Sequence, residues 1–306
     1  MSRNCDGEGV VGTMKFLQWI TGAISIFFMA IFFALYALVP AKKAYSFGSS
    51  IVKLLYPLFK KRRRIAIDNI LKAGITENPK EADRIAREAW GHLAGHICEA
   101  MKVPGVVKKH NYQEHLDFSG APEETVSLLL KETDKKILLV SSHHGVWEAA
   151  TNVISFARPM IAIARTMNNP VIANWMKNHH FRGPVTVIDK TRGFSKTIME
   201  QWEREKSALT ILMDQHTARG LSLTFLGREA KTFTSAARIA IREGCPIVVG
   251  SFVRIAPFKY RLVGGTPLYF DKTASLAEAT QILNDRLGDA IRQYPEQYLW
   301  MHRRWR

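Results

Sequence analysis

Between Ile137 and Val253 the chain repeats one pattern: a strand-length apolar run, then a stretch of helical periodicity, then another run. The runs are Ile137–Val140, Met160–Ala164, Val185–Ile188, Leu209–Met213 and Ile247–Val253, all rich in β-branched or aliphatic residues. Continuous apolar runs of this length suit strands covered on both faces. Among the intervening stretches, Thr234–Glu243 reads as an amphipathic helix stopped by Gly244 and followed by Pro246. Strands alternating with helices predict a single α/β domain with a mainly parallel central sheet flanked by helices. Upstream, Asn78-Pro79 reads as a helix N-cap with proline in the first turn. Ala82, Ile85, Ala86, Ala89, Trp90, Leu93 and Ile97 then follow at three- and four-residue steps. His92 and His96 lie four apart on this helix; no Glu or third ligand accompanies them, so they read as packing or surface residues rather than a metal site.

The run Phe16–Val39 is uncharged and apolar, and a spanning helix needs roughly 20 such residues. A cleaved signal peptide would have a basic start and an apolar stretch of roughly 7–15 residues; this run is longer and its start is neutral. Its aromatic residues, with Lys15 and Lys42 at the flanks, favour a membrane anchor over a buried core helix. The expected organisation is a short tail (1–15), an anchor helix (16–40) and one catalytic domain (41–306). The net charge of +16 implies an acidic partner. Nine Lys or Arg residues stand between Lys42 and Lys72 against Asp68 alone, five of them as Lys60-Lys61-Arg62-Arg63-Arg64. A basic cluster just past a membrane segment belongs on the cytoplasmic side, where it meets anionic headgroups at about 1 kcal/mol per residue. Cys5, Cys98 and Cys245 show neither disulfide nor zinc spacing, which fits a reducing setting.

Directly after the first apolar run comes His143-His144-Gly145-Val146-Trp147-Glu148. Active sites of such sheets form at the carboxyl ends of strands. A helix starting near Gly145 places Glu148 in its first turns, where its carboxylate can hold the Nδ1 proton of His143 and leave Nε2 facing the cleft. That pairing makes a general base for a hydroxyl. By itself the His-x4-Glu spacing is a weak signal. No Gly-x-Ser-x-Gly elbow supplies a serine nucleophile for a hydrolase. A nucleic-acid-binding membrane protein is suggested by the charge alone, with no binding motif to support it.

The block His143-x-Gly145-x-Trp147-Glu148 is followed in order by Arg165 with Asn168-Asn169-Pro170, then Asp214-Gln215, then Phe225–Ala230, then Pro295–Arg304. This series, which spans nearly the whole chain, closely resembles the late acyltransferases of lipid A biosynthesis, the lauroyl and myristoyl transferases of the bacterial inner membrane. Its most specific element is the closing stretch Tyr298–Trp305. The resemblance implies a glycerolipid acyltransferase-like fold at the inner membrane, with the catalytic domain on the cytoplasmic side. It implies transfer of an acyl chain from a thioester on acyl carrier protein or coenzyme A to a hydroxyl of a lipid A precursor. His143 and Glu148 would be the catalytic pair, and Arg165, Asp214, Asn168 and Gln215 the substrate-binding or oxyanion residues. Arg165 suits either an oxyanion or a phosphate, and Asp214 could orient Arg165 or the acceptor sugar, or cap its loop. His144 stands where many relatives carry an aromatic or apolar residue, so either histidine could face the cleft. No metal and no cofactor is expected beyond the acyl thioester co-substrate. The expected partners are that thioester, anionic membrane lipid and a phosphorylated glycolipid acceptor, with no nucleic acid. Lys190, Arg192, Lys196, Arg303, Arg304 and Arg306 are candidates to meet the acidic carrier or the phosphates. Relatives that take coenzyme A thioesters leave another glycolipid or an aminolipid as the alternative acceptor.

Overall fold

A computed structural model describes residues 31–131, 134–164, 185–189 and 196–305. The strands are β1 (Leu116–Asp117), β2 (Ile137–Ser141), β3 (Met160–Ala164), β4 (Val185–Asp189), β5 (Ala208–Leu212), β6 (Leu221–Phe225), β7 (Arg228–Thr232), β8 (Ile247–Ala256) and β9 (Lys259–Gly264). Seven of them form one sheet in the order β1-β9-β8-β2-β5-β3-β4. All its pairings are parallel except β8 with β9. The five apolar runs become β2, β3, β4, β5 and β8, so the α/β reading holds. Beyond it, the sheet gains β1 and β9, and β6 and β7 form a separate antiparallel hairpin. The hairpin turns through Leu226 and Gly227, both at positive φ.

The helices are α1 (Ala44–Leu55), α2 (Lys60–Lys72), α3 (Pro79–Val106), α4 (Glu123–Leu130), α5 (Trp147–Ile154), α6 (Lys196–Glu205), α7 (Ser235–Glu243) and α8 (Leu276–Gln293). Alternation along β2 shows how they cover both faces. Leu138 and Val140 enter one apolar cluster with Ile70, Trp202 and Leu283, while Ile137 and Leu139 enter another with Leu128, Val153 and Ile154. Every residue of β2 is therefore buried, as a strand between two helical layers must be. Asn78 caps α3 by accepting from the Lys80 amide, with Pro79 at its first position. Gly244 closes α7 in the left-handed conformation, both as the sequence predicts.

Residues 16–30 of the expected anchor lie outside the described residues; 31–37 are helical. Tyr36 donates to the Cys98 carbonyl on α3, and Phe32 and Tyr36 pack against Phe47 of α1. Among the described residues no helix is long and apolar enough to cross a membrane. The outer face of this region is nonetheless apolar. Leu38 is 82% exposed, Leu54 79% and Leu58 73%, with Ile51 and Leu55 also exposed. Lys60, Lys61, Arg62 and Arg64 follow immediately on the surface.

Candidate active site

The site grows from the register of two neighbouring strands. Ser141 of β2 pairs with Leu212 of β5, and the Met213 amide extends the pairing by donating to the Ser141 carbonyl. His143 and Asp214 each stand two residues past that pair, so parallel register alone brings them side by side at the carboxyl edge. Nδ1 of His143 lies 2.8 Å from Oδ1 of Asp214, and Nε2 lies 3.3 Å from Nε2 of Gln215. The His143 side chain is 19% exposed and that of Asp214 3%. Burial pushes the Asp214 carboxyl up, but the facing His143 and hydrogen bonds from its side chain and the backbone outweigh it, holding the group below its ordinary value. Burial, with the nearby Asp214 carboxylate, raises the Tyr298 phenol well above its ordinary value.

These contacts put a different carboxylate on His143 from the one its sequence neighbourhood offers. Glu148 was expected to hold Nδ1 of His143, and Asp214 holds it instead. Helix α5 begins at Trp147 rather than near Gly145, and Oε2 of Glu148 comes within 3.8 Å of Nε2 of His96 on α3. Trp147 links the two histidines, edge-on to His143 at 5.2 Å and tilted against His96 at 4.7 Å.

Burial distinguishes the two adjacent histidines. His144 is fully buried and makes a bridge to Tyr298; its Nε2 lies 3.0 Å from the Tyr294 carbonyl. Burial pushes its pKa down to about 4, so it sits neutral in the core. His143, at the bend just before it, keeps a side chain that is 19% exposed.

The turn after them requires glycine. Gly145 has φ +69°, and a Cβ there would lie 2.0 Å from the Phe252 carbonyl oxygen. Its amide donates to the Gln297 carbonyl, and the Val146 amide donates to that of Phe252. The carboxy-terminal segment closes the other side, with the Leu299 amide donating to the His143 carbonyl. Trp300 and Arg304 are buried. The Arg304 guanidinium bonds the Lys231 carbonyl and the Thr232 hydroxyl on β7, and lies over the Phe225 ring. Asn69 on α2 donates to the carbonyls of Trp300 and His302.

An outward histidine seated on a buried carboxylate at a strand end is chemistry for deprotonating a hydroxyl, and the sequence around it is matched by the family model of bacterial lipid A biosynthesis acyltransferases over residues 14–306. The chain belongs to this acyltransferase family. Among curated proteins, no relative matches it.

Of the acyltransferase's expected site residues, His143, Asp214 and Gln215 meet in direct contact, and Glu148 lines the same turn. Arg165 and Asn168 lie outside the described residues, as do Lys190, Arg192 and Arg306. Lys196 and Arg303 are exposed. Arg304 is corrected: it was a candidate for the substrate's negative charge, but it is buried and ties the carboxy-terminal segment to β7. His92 and His96 were read as packing or surface residues. Both are buried, and both face the active-site turn, with Nε2 of His92 2.9 Å from the Gly145 carbonyl oxygen. Their four-residue spacing was visible in the sequence; the element they face was not. Among the described residues no group of three or more His, Cys, Asp or Glu could hold a metal ion.

Proposed function

We propose that the acyltransferase moves a fatty acyl chain from a thioester, on acyl carrier protein or coenzyme A, to a hydroxyl of a lipid A precursor, with His143 as its base, oriented by Asp214, and Glu148 at the acceptor. The observation that carries this reading is the contact between Nδ1 of His143 and the buried Asp214 carboxylate. With its Nδ1–H given to Asp214, the imidazole keeps a lone pair on Nε2 for the acceptor's proton. The acceptor oxygen then attacks the thioester carbonyl, and a tetrahedral oxyanion forms. Collapse breaks the C–S bond, and the leaving thiolate takes the proton back from the imidazolium. Asp214 stabilises that imidazolium without becoming protonated itself. Gln215, beside Nε2, would hold the acceptor, and Glu148 would bind it from the first turn of α5. Arg165 and Asn168 follow β3 in the sequence, and β3 is the neighbour of β5. We assign them the oxyanion or a substrate phosphate.

We also assign residues 16–40 to a membrane anchor and residues 41–306 to a catalytic domain on the cytoplasmic face of the inner membrane. Support comes from the exposed Leu38, Leu54 and Leu58 beside the basic run Lys60–Arg64. Apolar exposure rimmed by positive charge suits an anionic lipid surface.

The test uses membranes holding the full-length protein, labelled lauroyl or myristoyl thioesters of acyl carrier protein and of coenzyme A, and a Kdo-bearing lipid A precursor. Label is expected to reach the precursor. Transfer to a different glycolipid or aminolipid alone would replace the acceptor. No transfer to any lipid from either donor would contradict the reading.

A further inference from the structure

The two buried histidines of α3 lie outside the proposed chemistry, yet they reach the turn that carries it. Nε2 of His92 is 2.9 Å from the Gly145 carbonyl oxygen, so that nitrogen must carry the proton and donate. The neutral ring then has Nδ1 as an acceptor, and the Tyr45 hydroxyl stands 3.2 Å from it. Burial pushes His92 down to about 3 and Tyr45 up to about 12, so both stay neutral at physiological pH. Tyr45 is itself held. The Arg254 guanidinium lies over its ring at 3.8 Å and is paired at 3.0 Å with Glu99, a carboxylate that is 1% exposed. Gly95 of α3 makes room for that ring, since a Cβ there would come within 2.8 Å of it. One turn along α3, His96 lies against Trp147 and near the Glu148 carboxylate.

We propose that His92 is a positioning residue for acyl transfer. Oriented by Tyr45 and the Arg254–Glu99 pair, it fixes the Gly145 carbonyl, and so the turn that presents His143 on one side and Glu148 on the other. Gly145 has left-handed backbone and no side chain of its own to pack. Without the bond from His92, its peptide plane is held only by the amides on either side. A displaced turn moves the base relative to the acceptor, and a misplacement of about 1 Å can cost roughly a hundredfold in rate. The effect belongs in kcat, because His92 is buried behind the turn and acts through Gly145.

This inference rests on His143 being the base, and the experiment separates the two. Acyl transfer is measured on detergent-solubilised full-length wild type, His143→Ala, His92→Leu, His92→Gln and Tyr45→Phe, with the lauroyl thioester and the Kdo-bearing precursor. Glutamine places an amide donor near the position of Nε2, so it can keep the bond to Gly145, which leucine cannot. His92→Leu is expected to lower kcat about tenfold or more with both KM values within about twofold of wild type, and His92→Gln to recover most of the loss. Tyr45→Phe keeps the ring under Arg254 and frees the imidazole, for an expected kcat loss of about threefold to tenfold. It decides the matter if His92→Leu does not fold. Unchanged kcat in His92→Leu or Tyr45→Phe, or His92→Gln no better than His92→Leu, overturns the proposal while His143→Ala stays inactive. An active His143→Ala protein overturns the assignment of the base instead.

Discussion

At the carboxyl edge of β2 and β5 the fold buries Asp214, His144, Tyr298 and Arg304, whereas on α1 and the turn that follows it the fold leaves Leu54 and Leu58 in the open. The first region removes polar groups from water, which costs several kcal/mol per group unless each finds a partner. Asp214 has His143, His144 has the Tyr294 carbonyl through Nε2, and Arg304 has the Lys231 carbonyl and the Thr232 hydroxyl, while Nδ1 of His144 and Nε of Arg304 have no hydrogen-bond partner among the described residues. The second region leaves large apolar groups uncovered beside five consecutive basic residues. Polar groups fixed by these contacts hold a geometry, whereas an apolar face left in the open is suited to meet something else. Substitutions in the two regions should therefore separate, one affecting rate and folding, the other affecting attachment.

The largest effect is expected from Asp214→Asn. The amide can impose the wrong tautomer on His143, and a comparable change in a histidine–aspartate pair costs about 10⁴-fold in kcat. Steady-state acyl transfer checks this, with the melting temperature as control; Glu148→Gln in the same assay tests the place of that carboxylate at the acceptor. Arg304→Ala removes a buried guanidinium from its carbonyl, hydroxyl and ring partners. It should cost about 2 kcal/mol of stability, seen as a lower denaturation midpoint, and should loosen the segment over His143.

The pH dependence of stability is next. Burial pushes the folded-state pKa of His144 down to about 4, from an ordinary imidazole value of about 6.5. As pH falls below 6.5 the unfolded chain takes up a proton that the folded chain refuses, so stability declines until about pH 4. The full loss from this one group is ~3 kcal/mol. His92 acts in the same direction and extends the window to about pH 3. Melting curves of wild type and His144→Asn between pH 7 and 4 check this, and the variant should show the shallower slope. The smallest effect on the fold belongs to the other region. Leu54→Gln with Leu58→Gln should change stability by no more than about 0.5 kcal/mol each while weakening retention on vesicles containing anionic lipid. A large loss of stability there would break the contrast between the two faces.

The parts of the fold legible in the sequence are those where local pattern decides. β2 and β3 could be read because strands buried on both faces are continuously apolar, and α3 because Asn78-Pro79 caps a periodic face. The β6–β7 hairpin was not read as strands. Leu221–Phe225 alternates, but its residues are largely exposed, and its turn depends on positive φ at Leu226 and Gly227. In the site, the local signal located His143 and could not name its partner. Glu148 is five residues away in sequence, but Asp214 reaches Nδ1 because β5 pairs with β2 in one register, and that pairing is not written near either residue. His92 and His96 were obscured for the same reason, since their partners stand on a turn about fifty residues further on. Arg304 was read as surface charge because a short motif carries no information about burial.

The central claim is that the imidazole seated on Asp214 is the base of acyl transfer. Its most direct test is the rate of lauroyl transfer from the thioester to the Kdo-bearing precursor by folded His143→Ala protein under single-turnover conditions. A loss of about 10²–10⁴-fold relative to wild type, with an unchanged melting temperature, is the predicted result. Transfer at the wild-type rate would contradict it.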